Sequence, residues 1–374
     1  MNSRAKRAIV PLAGAVIASG VVGASLTTTA EAQAKPRTKT VTLAKSAAEA
    51  TAIVKAWTPA KLKAAKSYTE ELGVKGKLAR SVRPAKADGP AGSVPPIGAS
   101  SSGSAKNVNL PRTVGKVFFE IGGEQYWCSA TSIQSKYRNL VATAGHCAYD
   151  TDTNTATKQF VFIPSYHQGK APYGVYVGYK LNFHSDFDVF EDYDRDYAFI
   201  NVYNGIKPNT GPTKDFRPVD VGRLGDNVGG QGFTWNRNPK STYFTFGYPA
   251  GAHLDGDKPY SGNTMKWCYG TSSTMPAAPE FNVQEHLGFK CAFTPGASGG
   301  PWLYGYRNST RVGYVGGVNS LVWDTDGNGR YDRVSSPYFD GETYSVYKAA
   351  ANLWSPVYPG AKKAPVGSGP AHKG

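Results

Sequence analysis

The sequence predicts an all-β body over residues 110 to 360, of the sandwich or barrel kind. Three observations predict it. Short apolar runs recur through this stretch, among them "VGKVFFEI", "NLVATA", "QFVFIPS", "GVYVGYKL", "YAFINVY", "STYFTFGY" and "VGYVGGVN". Gly, Asn, Asp and Pro punctuate them at the density expected of tight turns between short strands. Only "ETYSVYKAAANLW", near the end of the body, has the composition of a helix.

Taken in chain order, residues 1–34 predict a secretory signal peptide. Arg4, Lys6 and Arg7 precede the apolar stretch "AIVPLAGAVIASGVVGASL", and small residues suited to cleavage lie between Ala30 and Ala34. The protein is therefore expected to be secreted and extracellular, with membrane contact confined to export. No second run of about 18 apolar residues predicts another span. Residues 35–112 read as a propeptide and linker. The Ala- and Lys-rich stretches "AAEATAIVKAW" and "PAKLKAAKSYTEELGV" suit helices, whereas "ADGPAGSVPPIGASSSGSA" holds too few apolar side chains to pack a core. The β body follows as residues 113–360, and "AKKAPVGSGPAHKG", residues 361–374, reads as a disordered tail.

The net charge of +15 suggests nucleic acid until it is located. Residues 1–112 hold 18 Lys and Arg against 5 Asp and Glu, while the remainder holds 24 against 22. The body thus lacks the clustered positive charge that phosphate binding needs, so no nucleic-acid partner is expected. The four cysteines, Cys128, Cys147, Cys268 and Cys291, suit two disulfides in an exported chain, with three connectivities open. Neither a C-x-x-C pair nor an H-E-x-x-H helix supports zinc instead.

Three motifs carry chemistry. "TAGHC" places His146 after an apolar run, as a packed core histidine or as one half of a proton-transfer pair. "TPGASGGPW" surrounds Ser298 with Gly296, Gly299 and Gly300. Such glycines let the backbone turn sharply and aim amide N–H groups at one point, which a nucleophilic serine needs beside a developing oxyanion. The same letters fit the serine elbow of α/β-hydrolases, but the alternating helices of that fold are lacking. "DRDYAFI" sets Asp196 directly before a strand, where a buried carboxylate must be hydrogen-bonded and can hold an imidazole in one tautomer. Asp192 and Asp194 are its neighbours and rivals.

In the order His, Asp, Ser, these three motifs resemble the trypsin/chymotrypsin-like serine peptidases. "TVGKVFF" and "FGYPAG" look like the secreted bacterial branch that includes the glutamyl endopeptidases, and the resemblance spans roughly residues 112–322. It implies an all-β fold of two six-stranded antiparallel β-barrels with a C-terminal helix, making residues 113–360 a peptidase domain. It implies His146 as general base, Asp196 as its orienting partner, Ser298 as nucleophile, and the N–H groups of Gly296 and Ser298 as the oxyanion hole. It also implies the disulfides Cys128–Cys147 and Cys268–Cys291. Protein or peptide substrates and the chain's own propeptide are the implied partners, with no cofactor required for catalysis. A non-catalytic binding or envelope protein on the same scaffold, and an esterase using the same triad, are the alternatives.

The pattern also departs from that family. Ala297 stands where many animal relatives carry an aspartate that receives the new N-terminal ammonium, so activation by that ion pair is not expected. "PRTVGK", from Pro111, resembles a processing site. Counting six residues back from Ser298 reaches Ala292, which offers no carboxylate to a basic substrate side chain. In "YVGGVNSLV", Val318, Asn319 and Ser320 stand where glutamyl endopeptidases use a histidine. Uncharged or apolar side chains are the expected preference. Separately, "DTDGNGRYD" sets Asp324, Asp326, Asn328 and Asp332 at the first, third, fifth and ninth positions of a calcium loop, with Gly329 at its turn. Ser335 replaces the bidentate Glu of the twelfth position, so weak calcium binding is the expectation.

Overall fold

The computed structural model describes residues 38–68, 83–97, 108–207 and 218–358, with the backbone of residues 73–74 and 362–363. The chain falls into two units, Met1–Lys35 and Pro36–Gly374. The first, and with it the expected signal peptide, lies outside the described residues. Of the expected tail, only Lys362–Lys363 is described, as a strand parallel to Val219 and Asp220. Among the described residues no helix is long and apolar enough to cross a membrane.

The segment before the β body, residues 35–112 and called the leader below, forms strand β1 (Thr38–Thr42), helices α1 (Ala47–Ala56) and α2 (Pro59–Ala64), and short strands β2 (Lys66–Ser67), β3 (Gly73–Val74) and β4 (Gly92–Val94). The helices start where side-chain caps allow. Ser46 accepts from Glu49 N–H, and Thr58 accepts from Lys61 N–H with Pro59 in the first turn. Ala50, Val54, Trp57 and Leu62 are buried in the same apolar core as the β body, and Trp57 Nε1 donates to the carbonyl of Gln159 at 2.7 Å. Part of the passage read as linker is also ordered. The backbone of β4 pairs with a strand of the body, which requires amide groups and no apolar side chains.

Six strands close into a barrel: β5 (Val114–Ile121), β6 (Glu124–Ile133), β7 (Leu140–Thr143), β8 (Lys158–Pro164), β9 (Tyr176–His184) and β10 (Ala198–Val202). Around the ring the order is β5, β6, β7, β10, β9, β8 and back to β5, antiparallel throughout. The β5–β6 hairpin turns on Gly122 and Gly123, both at positive φ, as a two-residue turn between twisted strands demands. β1 lies antiparallel along β9, from Thr38 opposite His184 to Thr42 opposite Lys180.

The second lobe comprises β11 (Gly232–Trp235), β12 (Thr242–Gly247), β13 (Lys266–Thr271), β14 (Leu287–Lys290), β15 (Pro301–Arg307), β16 (Val312–Val318), β17 (Leu321–Trp323) and β18 (Arg333–Ser336). It is built as two sheets: β13-β12-β15-β16-β11-β4, and Ser273–Thr274 with β14-β18-β17-β3. Between β16 and β17 the chain passes from one sheet to the other through Asn319 and Ser320. The disulfide Cys268–Cys291 and the bond from Val318 N–H to Ser336 Oγ join the two sheets. The expected C-terminal helix is α3 (Gly341–Ala351), opened by a capping box between Asp340 and Thr343. It buries Val346, Tyr347 and Ala350, with the Tyr347 ring stacked on Phe233.

Candidate active site

Strand register brings the first two residues together. Thr143 at the end of β7 faces Ala198 at the start of β10, so the turns beyond these ends emerge side by side. His146 sits in the 3₁₀ turn Gly145–Cys147, and Asp196 follows the 3₁₀ turn Tyr193–Arg195. Gly145 leaves room for this pair: a Cβ there would lie 3.0 Å from both Asp196 Oδ1 and the Phe187 ring, so one of them would have to give way. Cys147 is bonded to Cys128, which fastens the histidine turn to β6. The closeness of His146 to Cys128 and Cys147 makes no metal site, since both sulfurs are spent in that disulfide.

The Asp196 carboxylate is fully buried and accepts three hydrogen bonds. Oδ1 takes the backbone N–H of His146 at 2.8 Å; Oδ2 takes His146 Nδ1 at 2.8 Å and Ser320 Oγ at 2.6 Å. Burial alone would push this carboxyl up, but the neighbouring imidazole and these donors overcome it and hold the group below its ordinary value. The rivals have other work. Asp192 caps the 3₁₀ turn through Asp194 N–H, and burial pushes its carboxyl up to about 6. Asp194 accepts from the N–H groups of Gln284 and Glu285 in the second lobe.

The loop carrying Ser298 is fastened on two sides. Ser129 N–H donates to the carbonyl of Ser298 at 2.8 Å, and Ser129 Oγ donates to that of Gly296 at 2.9 Å. Gly299 N–H donates to the carbonyl of Asn319 at 2.7 Å, while Asn319 N–H donates to that of Gly300 at 2.9 Å. Ser129 adjoins Cys128, the disulfide partner of the residue after His146, and Asn319 adjoins Ser320, which holds Asp196. Two short bridges thus bring the serine loop against the His–Asp pair. Gly299 lies so close to β7 that a Cβ would meet Thr143 Oγ1 at 2.0 Å, and its φ of +77° independently favours glycine. Among the described residues, the N–H groups of Gly296 and Ser298 donate no hydrogen bond.

Sequence reasoning missed Ser320 as a partner of Asp196, Ser129 as the loop's anchor, and the rings around His146. Tyr68 and Tyr193 lie nearly parallel to the imidazole, with centroids 6.1 and 6.2 Å away. Asn319 is also occupied structurally: its Oδ1 accepts from Trp302 Nε1 and Thr245 Oγ1, and its Nδ2 donates to Ala297 O. Ala292 is exposed rather than set at the bottom of a pocket.

In the calcium-like loop, the side chains already serve the backbone. Asp324 accepts from Gly327, Asn328 and Gly329 N–H; Asp326 from Asn328; and Asp332 from Thr325 N–H and Oγ. Asn328 Oδ1 accepts from Arg330 N–H, and Ser335 Oγ is engaged by Trp323 and His286. A cation would have to compete with these bonds.

Comparison with known proteins agrees with this geometry. The trypsin family profile matches residues 104–340. The protease Anisep from Arthrobacter nicotinovorans is 29% identical, with a TM-score of 0.52 over 67% of this chain and 98% of its own. A thermostable serine protease, AL20, from an extremophilic microorganism is 26% identical, with a TM-score of 0.52 over 65% and 98%. No curated protein matches. With the family profile covering the closed barrel, the second lobe and all three motif residues, the chain belongs to the trypsin family.

Proposed function

We propose that this protein is a secreted serine endopeptidase, made as a precursor, which hydrolyses peptide bonds through an acyl-enzyme. The observation that carries the reading is the His146–Asp196 pair. Because Nδ1–H donates to a carboxylate held in its ionised form, the lone pair of neutral imidazole resides on Nε2. In the proposed reaction, Nε2 takes the proton of Ser298 Oγ as that oxygen attacks the scissile carbonyl. The ionised Asp196 stabilises the resulting imidazolium, and the N–H groups of Gly296 and Ser298 receive the oxyanion. His146 then returns the proton to the leaving amine, and a water deprotonated by the same nitrogen hydrolyses the ester. Every step uses side chains or amides of the chain itself.

The proposed preference is for uncharged or apolar side chains. Asn319, where a charged substrate group would need a partner, has its amide committed to Trp302, Thr245 and Ala297. The test is a fluorophosphonate probe and a peptide library applied to the processed protein. The probe is expected to label Ser298, and Ser298→Ala is expected to lower peptide hydrolysis on the order of a thousandfold or more, because nucleophile and base act as a unit. Unlabelled protein whose hydrolysis survives that substitution would refute the reading.

A further inference from the structure

We propose that the leader, at Lys66–Tyr68 and again at Gly73–Val74, lies along the substrate cleft as a built-in peptide running against the direction of a substrate, closing the uncut chain to proteins. This deepens, and rests on, the peptidase reading above. His146 is only 2% exposed and Ser298 only 6%, so the residues assigned to the chemistry are covered in the full chain.

Part of the cover over His146 is contributed by the leader, beside Tyr193 of the body. Tyr68 is buried, its ring inclined 23° to the imidazole and packed edge-on against Phe119 and Tyr126. Its backbone N–H donates to the carbonyl of Trp127 at 3.0 Å, extending β2, in which Lys66 and Ser67 pair with Tyr126 and Trp127. Further along, β3 pairs with Val322 and Trp323 of β17. Both walls adjoin the site. Trp127 is followed by Cys128 and Ser129, which anchor the histidine turn and the serine loop; Val322 is two residues beyond Ser320, which holds Asp196. The leader therefore adds strands to both edges by backbone pairing, the mode by which an extended peptide is held.

Direction explains why such an occupant survives. His146 must protonate the leaving amine, which belongs to the C-terminal half of the cut peptide. A substrate consequently runs, N to C, towards the histidine wall. The leader is at that wall with residues 66–68 and reaches β17 afterwards, with residues 73–74, so it runs the opposite way. A chain held in that sense does not offer its peptide bonds to the serine as a substrate does. Meanwhile β1 on β9, and Val54, Trp57 and Leu62 in the core, keep the segment docked.

The test measures fluorophosphonate labelling of Ser298 in the intact chain, with mass spectrometry confirming that it is uncut. Three uncut chains are compared: the parent, Tyr68→Ala and Tyr68→Phe. A fourth sample is the parent after limited proteolysis and separation of the leader. The parent and Tyr68→Phe are expected to label slowly. Tyr68→Ala should label faster by on the order of tenfold or more, the scale on which loss of a buried aromatic anchor acts at an interface. If the processed protein labels while Tyr68→Ala labels no faster than the parent, the plug is refuted and the peptidase reading stands. If the processed protein does not label either, the peptidase reading falls, and the plug with it. Should Tyr68→Ala fail to fold, deuterium exchange at the imidazole Cε1–H of His146 in the unsubstituted chain decides. Faster exchange after processing supports the plug, and an unchanged rate refutes it.

Discussion

Asp196→Asn replaces one carboxylate oxygen by an NH₂ group in a buried site at which three donors are aimed. Two placements are available. With NH₂ at the Oδ1 position, it faces the backbone N–H of His146, a donor fixed by the 3₁₀ turn that cannot turn away. With NH₂ at the Oδ2 position, it faces His146 Nδ1 and Ser320 Oγ, both of which can become acceptors. The second placement costs less, and it moves the imidazole proton to Nε2, so the nitrogen proposed as base becomes a donor. A wrong tautomer in a triad of this kind lowers kcat about 10⁴-fold, equivalent to about 5.4 kcal/mol of transition-state stabilisation. The assay is hydrolysis of a fluorogenic peptide by the processed protein, with kcat and KM separated. KM is expected to stay within a few-fold, since Asp196 is buried behind the histidine and is not assigned to bind substrate. The sign of the pH effect follows from the depressed carboxyl. Asp196 contributes stability above its unfolded value, about 3.9, and loses it as pH falls through its lower folded value. Below that unfolded value the parent's Tm should therefore fall more steeply with acid than that of Asp196→Asn. An Asn variant retaining kcat within tenfold of the parent would refute the tautomer argument.

Two further outcomes are expected. Replacing Cys268 and Cys291 together by Ala opens a loop with a sequence separation of 23 residues. It should cost about 3 kcal/mol by loop-closure entropy, read as a lower midpoint in urea with a slope no smaller than the parent's, since the uncrosslinked denatured chain is free to expand; an unchanged midpoint would show that the two sheets need no clasp. For the loop of Asp324, Asp326, Asn328 and Asp332 we propose calcium affinity no tighter than on the order of 10⁻³ M, because its carboxylates already receive N–H groups. Titration calorimetry checks this, and micromolar binding abolished by Asp324→Ala would overturn it.

What was legible in the sequence is what is encoded locally. "TAGHC" holds a strand end, a glycine under a neighbouring carboxylate and a cysteine that clamps the turn, all within five adjacent residues. The glycines around Ser298 likewise state a backbone requirement that can be read without coordinates. Asp196 was separable from Asp192 and Asp194 because it alone abuts the apolar run. Ser320 was not legible in its observed role, since it acts on Asp196 across 124 residues of chain and only the fold pairs them. The leader misled in a different way. Its helical stretches were visible, but Ala and Lys dominate them, so the few apolar residues that dock it, such as Val54 and Trp57, gave little periodic signal. Strands as short as β2 and β4 leave no pattern at all, because main-chain groups alone define them.

The strand β4 has a consequence for handling if the leader is cut away as proposed. It covers the outer side of β11, with Gly92–Val94 opposite Phe233, Thr234 and Trp235. An uncovered strand of this kind is a template on which further copies can stack into aggregates. While the leader remains attached, that template is capped by a neighbour present at very high local concentration. Cleavage that removes β4 would uncover it, so trimmed protein should be most prone to precipitate at high concentration, and the uncut chain is the better form to store.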